Sequence, residues 1–192
     1  MMKQFLYSLI LFSAVFTNVY AKNIDSLHYV FEQSEQLDSS YYNACFELIN
    51  HYIKSKSDSC LYYADKLIKD YPDSAFQVAM AFRKKASFFK SINRDSSYFY
   101  IEKSLKEVKN IKNSFRKWKM FYLCYDLFSF NKRKEKNFYE SLRFLDSSLK
   151  YVTLCKQNSP HHIYKIHSLV FMYRYAYILD DQEKSNEALS YC

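Results

Sequence analysis

With 192 residues, no glycine and only two prolines, the chain can bury one sizeable core or stack a short series of units, but it is poor in the residues that make tight turns. That composition excludes sandwiches, barrels and glycine-rich phosphate loops. The 20 Tyr and 17 Phe suit helices stacked on helices, and the net charge of +8 directs attention to acidic partners.

The first segment reads as a targeting sequence. Lys3 supplies a positive start, Phe5 to Phe16 is apolar apart from Ser8 and Ser13, and Val19-Tyr20-Ala21 fits a signal-peptidase site. Residues 1–21 are therefore expected to be a signal peptide that directs export to the periplasm or cell envelope. The apolar run falls short of the about 20 residues that span a bilayer. Cleavage removes only Lys3 among the charged residues, so +8 becomes +7.

The remainder reads as helices in pairs. Ile24 to Gln36 is a lead-in helix within a capping segment, residues 22–40, and Tyr41 to Ile53 carries Phe46, Ile49 and Ile53 at helical spacing. The stretch DSCLYYADKLIKDYP at residues 58–72 recurs as DSSYFYIEKSLKEV at 95–108, a shift of 37 residues, each copy headed by an Asp-Ser pair that predicts an N-cap. Pro72 closes the first pair. Phe76 to Phe89 with Ser96 to Lys109 form the second pair. Phe115 to Phe130 and Phe138 to Cys155, joined by a basic turn at Asn131 to Asn137, form the third; Ile163 to Leu179 opens a fourth. Pro160 follows Pro72 by 88 residues, two units of 44. The fold class expected is all-α.

Reactive residues are scarce. Cys45 and Cys60 are mismatched by roughly 9 Å along their paired helices at about 1.5 Å per residue, too far for a disulfide, and Cys124 and Cys155 by more. Cys60, Cys124 and Cys155 are expected to be small buried residues, leaving Cys192 as the thiol available for a disulfide-linked dimer. His162 and His167 are five residues apart and face different sides of a helix, so no metal is expected at His161, His162 and His167. No nucleophile, acid and base set can be assembled, and neither catalytic residues nor a cofactor are expected.

The pairs resemble the tetratricopeptide repeat family from about Tyr41 to the end. Leu123-Cys124 and Tyr175-Ala176 look like that family's Leu-Gly pair, with Ala86 as a counterpart in the second unit. Ser97, Ser148, Cys60 and Ala188 look like its small second-helix position, and Pro72 and Pro160 like its closing proline. The absence of glycine and the long third pair depart from the pattern. The resemblance implies a right-handed α-solenoid of about four antiparallel helical hairpins over residues 41–192, with the last repeat, at Asn186 to Leu189, incomplete. It also implies that the chain continues, since exported arrays of this kind in bacteria often precede a membrane helix and a cytoplasmic signalling or DNA-binding part.

In the resembling family the first helices of successive units line a concave groove that takes a protein or peptide. Carried onto this chain, that groove would hold Arg83 and Ser87, then Trp118, Phe121 and Tyr125, then Tyr173 and Tyr177, with Arg83 placed to hold a carboxylate. The expected function is non-enzymatic binding in the cell envelope, as an adaptor or the sensing part of a signalling or transcription regulator. The competing reading is membrane-surface or polyanion binding through the clusters Lys109 to Lys119 and Lys132 to Lys136; export disfavours nucleic acid as a partner of this segment.

Overall fold

The computed structural model describes residues 24–34, 38–156 and 162–181, with side chains throughout except at 156 and 162–170. Among them lie eight helices and no strand: α1 (residues 24–33), α2 (Ser39–Lys54), α3 (Ser59–Asp70), α4 (Ala75–Phe89), α5 (Arg94–Val108), α6 (Ser114–Lys134), α7 (Phe138–Lys156) and α8 (His162–Asp181). The protein is all-α. The expected signal peptide, the incomplete last repeat and Cys192 lie outside the described residues, as do the side chains of His161, His162 and His167. None of the described helices is long and apolar enough to cross a membrane.

The chain divides into two compact units, Met1–Asp70 and Tyr71–Cys192. In the first, α2 packs on α3 around Ala44, Cys45, Leu48, Ile49, Cys60, Ala64 and Leu67, all essentially without solvent contact. Asp38 caps α2 by accepting from the Tyr41 amide at 2.8 Å, and the Tyr41 hydroxyl donates to Asp70 at the end of α3. Helix α1 joins the pair through aromatic surface. Phe31 stacks on Tyr41 and meets Tyr63 edge-on, while the His28 ring nitrogens lie 2.9 Å from the Tyr52 hydroxyl and 3.1 Å from that of Tyr63.

In the second unit each helix packs on the next, and α4 also packs directly on α6. Small polar side chains set the register. On α5, Ser97 Oγ donates to the Ala86 carbonyl of α4 at 3.0 Å and, seven residues on, Ser104 Oγ donates to Ala79 at 2.8 Å. The same two serines meet α6: Asn131 Nδ2 donates to Ser97 Oγ at 2.9 Å, and Cys124 Sγ lies 3.3 Å from Ser104 Oγ. Helix α7 repeats the device on α6, with Ser141 donating to the Ser129 carbonyl, Ser148 to that of Tyr122, and Cys155 pointing its thiol at that of Phe115. As numbers rise on one helix they fall on its neighbour, so these pairs run antiparallel. Only small side chains fit where backbones approach so closely, and the hydroxyls of Ser97, Ser104, Ser141 and Ser148 each find a carbonyl on the facing helix.

Two expectations are corrected. The cap of α5 is Asn93, which accepts from the Ser96 amide at 3.0 Å, and Asp95 falls in the first turn, where its charge meets the positive end of the helix dipole. Likewise Ser57 Oγ, and not the Asp58-Ser59 pair, takes the first free amide of α3. The basic turn is shorter than Asn131 to Asn137: α6 runs on to Lys134, because fully buried Asn131 is held by Ser97. As expected from the composition, positive-φ turns are scarce among the described residues, and those present are made without glycine. Lys56 (φ 56°) and Lys136 (φ 59°) follow α2 and α6, each within a Schellman-type end in which the next amide reaches back to the carbonyl of Tyr52 or Lys132.

Candidate functional site

One cleft in the second unit brings charge and aromatic surface together. It lies between the alternate helices α6 and α8, encloses about 440 Å³, and is lined by Asp126, Ser129, Phe130 and Arg133 from α6 and by Tyr173, Arg174, Tyr177 and Ile178 from α8. The Ser104, Ser148 and Asn131 contacts fix α6 against α5 and α7 and so aim its remaining face at the cleft. Buried Ala176, Ile178 and Leu179 seat α8, leaving Tyr173 and Tyr177 exposed.

The cations crowd. Arg133 sits 4.5 Å from the Tyr177 ring centre and pairs with Asp181 at 3.3 Å; Lys90, at the end of α4, lies 4.8 Å from the Phe130 ring, whose surroundings Arg133 and Lys134 share. Arg174 pairs with Asp126. Arg83 on α4 has a buried Nε without a hydrogen-bond partner among the described residues. Burial lowers the pKa of Arg83, Lys90 and Arg174, and the positive neighbours add to it: Arg83 and Arg174 both depress Lys90, and Arg83 depresses Arg174. Arg174 thus has Asp126 and Arg133 has the rim residue Asp181, while among the described residues no ion pair to a carboxylate is seen for Arg83 or Lys90. An anionic group entering here would find donors of one sign already converged.

The expected groove residues divide. Tyr173 and Tyr177 line the cleft, and Arg83 reaches its electrostatic neighbourhood from α4. Ser87 stands half-buried one turn beyond Arg83. Trp118 packs on the core formed with Tyr122, Leu145, Val152 and Cys155. Phe121 and Tyr125 turn to α7, where Tyr151 stacks on both at 4.7 and 5.8 Å and Phe144 stacks on Tyr125. Asp126, Phe130, Arg133, Arg174 and Lys90 did not stand out from periodicity. A usable signal existed: Asp126 is the lone charge between Met120 and Phe130, and Arg174 the lone charge between Ser168 and Leu179. A charge embedded in an apolar helix needs a partner or a function.

Among the described residues no group of His, Cys, Asp and Glu could hold a metal ion. Cys45, Cys60, Cys124 and Cys155 are buried and form no disulfide, and burial pushes Cys45 up to about 12 and Cys124 up to about 11. Comparison with protein-family models, curated proteins and solved structures finds no match for this chain.

Proposed function

We propose that the protein is a non-enzymatic, tetratricopeptide-like α-solenoid module that binds an acidic segment of another protein, or an acidic peptide, in the cleft between α6 and α8. Its setting is the cell envelope, and the binding step serves an adaptor or the sensing part of a signalling or transcription regulator. The observation that carries this reading is an aromatic-lined cleft bearing Arg133 and Arg174, with Arg83 and Lys90 close enough to Arg174 to add their positive charge from outside the lining. Two features support the solenoid: antiparallel neighbours in constant register, and direct packing of α4 on α6, as expected where helix pairs stack.

The test is fluorescence anisotropy with a fluorescein-labelled hexaglutamate peptide. Arg83→Gln combined with Arg133→Gln should weaken binding at least tenfold, the effect of losing charge-assisted contacts in a partly desolvated site. Equal binding by the wild type and the double variant would refute the cleft as the site.

A second reading has its own observation. Lys109, Lys112 and Arg116 near the start of α6, and Lys134 and Lys136 beyond the end of the cleft, are exposed and could meet an anionic membrane or polyanion. Raising salt from 50 to 200 mM should nearly abolish such surface binding, whereas binding in the partly buried cleft should fall less steeply.

A further inference from the structure

We infer that Asp126 is a resident placeholder for the ligand's carboxylate: its side chain holds Arg174 across the cleft, and an incoming acidic group takes Arg174 over. The inference rests on the proposed function and adds the chemistry of the ligand's anchoring group and the contact it must break.

Asp126 stands alone among apolar neighbours on α6, its side chain only 19% exposed, and its one ion-pair partner comes from the opposite wall of the cleft. The interaction is local to the cleft. It joins α6 to α8, two helices otherwise bridged there by Arg133 and Tyr177 across ring surface and by the exposed Arg133 to Asp181 pair. Register among α4 to α7 is supplied by the seven-residue serine contacts, and α8 is seated on α7 by Ala176 and Leu179 against Leu142, so other contacts than this carboxylate hold the helices in place.

The electrostatic neighbourhood explains why a carboxylate is held there. Arg174 lies near Arg83, and both lie near Lys90, so an unneutralised Arg174 would stand against two further cations. Asp126 neutralises one of them. Arg83, outside the lining, keeps a buried Nε with no hydrogen-bond partner among the described residues, so its charge is not offset by Asp126. A ligand carboxylate therefore competes with Asp126 for Arg174 and feels the added positive field of Arg83 and Lys90. Asp126 lowers affinity for acidic ligands and selects those with enough negative charge to displace it.

The experiment compares the full chain with Asp126→Asn and with Asp146→Asn, which makes the same charge change at an exposed position of α7 away from the cleft. The probe is the fluorescein-labelled hexaglutamate peptide, with the hexaglutamine peptide as reference. The expected result is about tenfold tighter hexaglutamate binding by Asp126→Asn, the size of one screened charge interaction at close range, and a change under about twofold for Asp146→Asn. Unchanged or weaker binding by Asp126→Asn, while the wild type still depends on Arg83 and Arg133, overturns the placeholder and leaves the proposed function standing. Failure of wild type and variant alike to prefer hexaglutamate overturns both. If Asp126→Asn does not fold by circular dichroism, Asp126→Ser is measured in its place; loss of fold in both also overturns the inference, because a placeholder is dispensable to the fold.

Discussion

Ser104 is the most economical place to test the packing. Its hydroxyl is fully buried, donates to the Ala79 carbonyl of α4 at 2.8 Å and lies 3.3 Å from Cys124 Sγ of α6, so one small side chain separates three helices. Ser104→Ala removes the hydrogen bond and little volume. The Ala79 carbonyl keeps the amide four residues on, as any helix-interior carbonyl does, so the loss should be about 1 kcal/mol, the net value of a typical buried hydrogen bond. Ser104→Leu removes the same bond and forces three extra carbons between two backbones. Overpacking adds about 1–3 kcal/mol, for a total of about 2–4 kcal/mol. At roughly 2–4 °C per kcal/mol for a chain of this size, the melting temperature should fall by about 3 °C for the alanine and by about 6 °C or more for the leucine. Lys106→Leu, on the exposed side of the same helix, is the control and should stay within about 0.5 kcal/mol. Thermal melts followed by circular dichroism decide the matter. A leucine variant as stable as the alanine variant would show that α4, α5 and α6 do not meet at Ser104, and the register would be wrong.

Lys56→Gly and Lys136→Gly should each stabilise the protein by about 0.5–1 kcal/mol, because relief of the left-handed conformation outweighs the added freedom of the unfolded chain; urea unfolding measures it. Native Cys45 and Cys124 should resist a thiol reagent at pH 8 and react on unfolding. Their folded pKa values, about 12 and about 11, lie above the ordinary 9.0, so stability is complete below pH 9 and declines as the unfolded thiols ionise between pH 9 and 12; Tyr63, pushed by burial from 10.0 to about 12, acts in the same sense. Lys90 is held below its ordinary 10.5 by burial and by Arg83 and Arg174, so an acidic ligand that offsets those cations should draw a proton onto it in the window just below 10.5. Calorimetry there in two buffers of different ionisation enthalpy should show proton uptake on hexaglutamate binding, and identical heats would refute that coupling.

Helices were legible because their punctuation is local. Prolines, polar turns and apolar spacing place α2 through α8 within a few residues of their observed limits. What escaped was the meaning of small and polar residues seven apart. Ser97 and Ser148 stand out individually, but the spacing of Ser97 with Ser104, of Cys124 with Asn131, and of Ser141 with Ser148 and Cys155 carries the register of four helices. Asn131 reads as a turn former by type; only the position of Ser97 on the neighbouring helix turns it into a buried contact that carries α6 onward to Lys134.

The site was less legible because aromatic type says nothing about which neighbour a ring will meet. Phe121 and Tyr125 satisfy the spacing of a groove-facing pair, yet α6 has α7 on one side and α8 on another, and both rings stack against α7. In a chain with 20 Tyr and 17 Phe, rings are the ordinary packing material and discriminate little. A charge inside an apolar helix discriminates more. Leaving water costs several kcal/mol unless a partner is supplied, so the position persists only where something answers it. Asp126 and Arg174 answer each other across the cleft, but Arg83 and Lys90 are left with a surplus of positive charge. That surplus is the part of the structure that packing alone does not account for, and an acidic ligand is the chemistry that would remove it.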